Sequence, residues 1–182
     1  MIKTTDILDE KNKLLRMTSD EVIFPLDKSD LKLIDDMLEH LVNSQIEEIA
    51  KEYDLRPGMG LAAIQMGVKK RYFVIAHEQE DKTFKRYVIV NPKIISHSEE
   101  LVYANGGEGC LSINREVEGI VPRHARVTVE CKDALGNPLK IRAREELAIA
   151  VQHEIDHLNG ILFIDKINKD DPYKDEEKMR MI

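Results

Sequence analysis

The chain contains no run of 18 or more apolar residues, which excludes a membrane-spanning helix built from one continuous apolar segment. Its opening residues, Met1-Ile2-Lys3-Thr4-Thr5-Asp6, lack the apolar stretch of a signal peptide, so the expectation is a cytoplasmic protein with no membrane partner. Cysteine is scarce: Cys110 and Cys131 are the only two, too few for a disulfide framework and compatible with a reducing compartment. Positive charge is in short supply as well. A formal net charge of −7 argues against a direct nucleic-acid partner, which would need a basic face. Internal repeats and low-complexity segments are missing too. What is left is a chain of 182 residues, 42% of them hydrophobic, enough to bury a core and expected to form one domain over residues 1–182.

Against these absences stands one hexapeptide, Gln152-His153-Glu154-Ile155-Asp156-His157. A helix turns every 3.6 residues, so His153 and His157 at i and i+4 project from one face and can share a metal ion. Glu154 then lies beside the ion without ligating it. That position suits a carboxylate that takes a proton from metal-activated water and hands it to a leaving group. The plainer reading is the polar face of an amphipathic helix. With 6 His in 182 residues, however, chance supplies an HExxH pattern only about 0.02 times. The flanks agree with a helix: Glu145 to Val151 are strong helix formers, and Asn159-Gly160 follows as a stop. Residues 147–151 are apolar nearly all round, which predicts burial.

Two histidines leave a catalytic site short of its usual third protein ligand. A continuation HxxGxxH from His157 finds Gly160 in place but Phe163 at the last position, and phenylalanine binds no metal. A distant glutamate, Glu176 or Glu177, is the gluzincin-like alternative, although both lie in a charged tail. Cys110, in Gly106-Gly107-Glu108-Gly109-Cys110-Leu111-Ser112, is the favoured ligand, since thiolates bind divalent metals strongly and glycines allow close backbone approach. Cys131 alternates with Val127 and Val129 and reads as one buried face of a strand.

Along the chain, residues 1–28 form an arm packed on the domain. Ser29 or Asp30 is expected to cap a long helix carrying Leu31, Ile34, Met37, Leu38, Leu41, Val42, Ile46 and Ile49, ending by Leu55-Arg56-Pro57. Gly58-Met59-Gly60-Leu61-Ala62-Ala63-Ile64-Gln65 follows a helix, not a strand, which speaks against a dinucleotide fingerprint; Gln65 is a candidate oxyanion donor. Lys69-Lys70-Arg71 reads as a solvated turn; strands are expected at residues 72–76, 86–90, 126–132 and 139–144, with residues 170–182 loosely held. Adjacent short strands between two long helices indicate an α+β fold.

Three of these stretches together resemble the peptide deformylase family. Residues 58–65 are similar to its GxGxAAxQ motif, residues 108–112 to its EGCLS and residues 152–157 to its QHExDH, in that order, over roughly residues 10–167; Ile64 stands where the family usually has proline. The spacing of the first two motifs resembles the second, Gram-positive-type class. The resemblance implies antiparallel sheets packed around a central metal-binding helix, with the long helix N-terminal to them. It implies removal of the formyl group from the N-formyl-methionyl end of nascent peptides, with a transient ribosome contact following from the substrate. Cys110, His153 and His157 would hold Fe(II), replaceable by nickel, cobalt or zinc. Glu154 would move the proton, and Gln65 with the Leu111 backbone N–H would meet the oxyanion. Backbone groups at Gly60 and Gly107 would hold an extended peptide, and Met59, Ile149 and Ala150 would line the methionine pocket. A gluzincin-like endopeptidase and a metal-binding protein without turnover are the rival readings.

Overall fold

A computed structural model describes residues 1–182. Three helices, α1 (Lys28–Gln45), α2 (Glu47–Tyr53) and α3 (Glu145–Leu158), pack with an antiparallel sheet of β1 (Gly60–Ala62), β2 (Tyr72–Glu78), β3 (Phe84–His97), β6 (Arg126–Lys132) and β7 (Pro138–Arg144), in the order β1-β2-β3-β6-β7. Five apolar residues in succession, Tyr72 to Ala76, make sense only if both faces of β2 are covered. They are. Tyr72, Val74 and Ala76 join a 15-residue core with Ile34, Met37, Leu38 and Leu41 of α1, whereas Phe73 and Ile75 join a 21-residue core with Leu147, Ala148, Val151, Ile155 and Leu158 of α3. The expected α+β fold is therefore observed. Burial of each large aliphatic side chain is worth about 1.5–3 kcal/mol, and this holds α3 against the sheet. On β6 the alternation is clean: Val127, Val129 and Cys131 face the core while Arg126, Glu130 and Lys132 face solvent. Burial pushes the Cys131 thiol up to about 11, as suits an inert packing residue.

The structure departs from expectation at four places. Asp27, not Ser29 or Asp30, caps α1, its Oδ1 accepting from the Asp30 N–H at 2.8 Å. The single helix expected to reach Leu55 breaks at Ile46, whose ψ of 110° is not helical. Just before the break, the Gln45 amide turns away to donate to the carbonyls of Gly58 and Ala76, at 3.0 and 2.9 Å, tying the following loop to the sheet. Lys69-Lys70-Arg71, which looks like a solvated turn, is engaged: Lys70 pairs with Asp27 and Asp30, and Arg71 donates to the Leu158 carbonyl. Finally, residues 170–182 are not loose. A second sheet, in the order β5 (Arg123–His124), β4 (Leu101–Tyr103), β8 (Arg180–Met181), takes in the tail, and β4 and β8 pair in parallel. Strands of two or three residues are too short to show alternation, so no sequence pattern announces this sheet. The arm does pack as expected, burying Ile2, Ile7, Leu15, Val22 and Leu26.

Candidate metal centre

All residues of α3 except Glu145, Glu146 and Ala150 are buried, so its histidines and acids sit inside the molecule, where each needs a partner. The loop between β4 and β5 brings Cys110 to them. One donor atom from each of Cys110, His153 and His157 lies within 4.8 Å of the others, and the Cys110 Sγ is 3.3 Å from the His157 Nε2. Glu176 is elsewhere, accepting a hydrogen bond from the Tyr103 hydroxyl at 2.9 Å. Phe163, the residue that breaks the longer histidine motif, stacks on the His153 ring with centroids 6.0 Å apart.

Behind His153 lies a buried charge network. Its Nδ1 is 2.8 Å from Glu108 Oε2, an arrangement that orients the ring and leaves Nε2 for the site. Glu108 also receives two bonds from Arg123, at 2.7 and 2.9 Å, and Arg123 reaches Asp156 at 2.5 Å. Burial works against ionisation of Glu108, yet Arg123 and His153 hold its carboxyl down to about 2. The same burial disfavours a charged His153, but Cys110 and Glu108 pull its pKa well above the usual histidine range. His157 goes the other way, pushed well below that range by burial and by the charge of His153. Burial raises the Glu154 carboxyl to about 7, and its Oε2 has no hydrogen-bond partner. A thiol, two imidazoles and an unpartnered buried carboxylate gathered together fit a divalent cation, and the S, N, N donor set suits a transition metal.

A cavity of about 600 Å³ opens onto Cys110, His153 and Glu154. Met59, Gly60, Gln65, Gly107, Leu111, Ile149 and Ala150 all line it; of the expected site residues only His157 lies behind its wall, against Cys110. Gln65 is fixed at both ends: its Oε1 accepts from the Ala62 N–H at 2.8 Å, and its Nε2 donates to Ser112 Oγ at 3.0 Å and lies 3.7 Å from Cys110 Sγ. The Leu111 N–H makes no hydrogen bond within the chain. Gly60 is required by crowding, since a Cβ there would stand 2.8 Å from the Cδ of Glu154. Gly107 adopts a φ of +85°, in the left-handed region that favours glycine.

Sequence reasoning missed two supports. Arg56 donates to the carbonyls of Cys110 and Ile113, at 3.0 and 2.9 Å, bracing the turn that presents the thiol. Arg123 is the other. Neither belongs to a spacing pattern; arginines are expected to be mostly exposed, so a half-buried Arg56 and a fully buried Arg123 become informative only in the fold.

Fold and site together define an α+β metal-dependent hydrolase of the HExxH type. The polypeptide deformylase family model matches residues 4–173. A peptide deformylase of Oceanobacillus iheyensis is 49% identical over 173 residues, covering 95% of this chain and 94% of that protein; one from Listeria welshimeri is 51% identical over 173 residues, covering 94% of each. Among solved structures, the Thermotoga maritima peptide deformylase superposes with a TM-score of 0.70 at 30% identity, covering 89% of this chain and 96% of that one. An Arabidopsis thaliana peptide deformylase 1B reaches 0.73 at 29% identity, covering 90% and 82%. The chain belongs to the peptide deformylase family.

Proposed function

We propose that this chain hydrolyses the formyl group from the N-terminal formyl-methionine of newly made polypeptides, releasing formate and a free amine. The observation that carries the reading in this chain is the convergence of Cys110, His153 and His157, the first two lining the cavity beside Glu154 and the third buried next to Cys110. These three residues would hold one divalent ion. When bound, it supplies Lewis acidity that eases deprotonation of water and polarises the formyl carbonyl.

The chain's own groups do the rest. Glu154, with no other partner for its Oε2, takes the proton of the attacking water and returns it to the departing amine. The Gln65 amide and the Leu111 N–H donate to the oxygen as it gains charge, positioned before the reaction begins. Gly60 and Gly107 present backbone to an extended peptide, and Met59, Ile149 and Ala150 receive the methionine side chain. Glu108, anchored by Arg123, holds His153 in its ligating orientation. Fe(II) is the ion of this reading, with nickel, cobalt or zinc as substitutes, and the working compartment is the cytoplasm, with transient contact at the ribosome where the substrate emerges.

The test is formate release from formyl-Met-Ala peptides by anaerobically prepared protein. Formate appearing one-for-one with free Met-Ala supports the reading. Cleavage of unformylated internal peptide bonds would instead favour an endopeptidase, and bound metal without formate release would favour a non-catalytic metal-binding protein.

A further inference from the structure

The tail does more than cover a sheet edge. Ile182 is pinned by backbone on both sides, its N–H donating to the Tyr103 carbonyl at 3.0 Å and its carbonyl accepting from the Asn105 N–H at 2.7 Å. Two residues earlier, Arg180 clasps Glu145, the first residue of α3, through two bonds of 2.7 and 2.8 Å, and Glu100 through a third of 3.0 Å. The strap therefore bridges β4 and the start of the helix that carries the metal-ligand histidines. Its last side chain packs with Val102, Ala104, Ala125 and Ile149, and Ile182 lines the same cavity as Glu154 and Gly107.

The apolar lining is otherwise thin on that side. Ala104 and Ala150 are small, so the branched chains of Ile149 and Ile182 supply the bulk there. We propose that Ile182 is a specificity-determining residue: strapped onto β4, it completes with Ile149 and Ala104 the apolar wall that receives the side chain of the formylated residue. The assignment rests on the deformylase reading and extends it to a residue outside all three motifs. A long unbranched side chain gains from that wall, whereas a methyl group is too short to use it fully. Differences of one methylene in an apolar pocket are worth about 10- to 200-fold in kcat/KM, and a half-buried wall belongs at the low end.

The experiment compares Ile182→Ala, Ile182→Val and Arg180→Gln with the unaltered metal-loaded enzyme on formyl-Met-Ala-Ser and formyl-Ala-Ala-Ser. Ile182→Ala should lower kcat/KM for the methionine peptide about tenfold, mainly through KM, with a several-fold smaller loss for the alanine peptide. Ile182→Val should recover most of the preference. Arg180→Gln should shift the ratio in the same direction by a smaller factor. Metal content and thermal unfolding accompany each variant. Should Ile182→Ala fail to fold or to hold metal, Ile182→Phe, which keeps an apolar side chain and narrows the cavity, is read instead and should lower the methionine-to-alanine ratio. An unchanged ratio in a folded, metal-loaded variant overturns the proposal, as does a change that follows the second peptide residue and not the first. Absence of formate release from the unaltered enzyme would count against the deformylase reading itself, a distinguishable failure.

Discussion

Arg123 and Arg180 each bridge two carboxylates, the first Glu108 and Asp156, the second Glu145 and Glu100. Their bonds have similar lengths, but the side chains of Arg123 and Glu108 are 3% exposed while that of Arg180 is 47% exposed. Water decides what each network is worth. A charge pair 4 Å apart interacts by about 1 kcal/mol in bulk water and about 4 kcal/mol at the effective dielectric of a protein. The buried pair must also offset the cost of desolvating its ions, so its net contribution to stability is small even though losing one member is severe. Arg123 is thus better explained by what it keeps in place, the Glu108 carboxylate that orients His153, than by stability gained. The Arg180 cluster, screened by solvent, is a light fastening for the tail.

The contrast can be broken most forcefully at Arg123. Arg123→Met leaves Glu108 and Asp156 buried with too little positive charge, and urea unfolding should show a loss of about 3–5 kcal/mol. A change under about 1 kcal/mol would mean that water reaches the network.

Acid sharpens the same point. The folded pKa of Glu108 lies near 2, below its ordinary 4.5, so its ionised form stabilises the fold above about pH 4.5, and that contribution drains away as pH falls toward 2. Each unit of depression is worth about 1.4 kcal/mol. Urea midpoints measured from pH 7 to 3 should therefore decline, and Glu108→Gln should flatten the decline. In that variant the amide can still accept from the ring, but its charge is gone, and metal affinity by competition with a chelator should fall about 10- to 100-fold. The smallest effect belongs to Arg180→Gln, a slight fall in the urea midpoint that is erased in 1 M salt, with the acid limb left in place.

How much of this was legible in the sequence depended on period. The helix bearing His153 and His157, the alternating β6 and the double-sided run of β2 all announce themselves, because a repeat of 3.6 or 2 survives in the residue order. Cys110 was readable from its glycine setting, and Gln65 from its position after two alanines. Arg123, Arg56 and the Ile182 strap were not. Each acts across the fold on residues 33, 54 and 79 positions away, Asp156, Cys110 and Tyr103 respectively, and no local pattern encodes such a meeting. The break at Ile46 was hidden for a related reason: the apolar period runs straight through it, and only the tertiary bonds of Gln45 explain the turn.

The two histidines and the glutamate set among them divide the labour of the proposed reaction, and every other role depends on that division. It is tested most directly by Glu154→Gln, prepared anaerobically and assayed together for metal-to-protein ratio and formate release. Glu154 is assigned to move protons and not to ligate, so the variant should keep the metal content of the unaltered protein while formate release falls by about 10²-fold or more. Loss of the metal, or turnover at the unaltered rate, would contradict it.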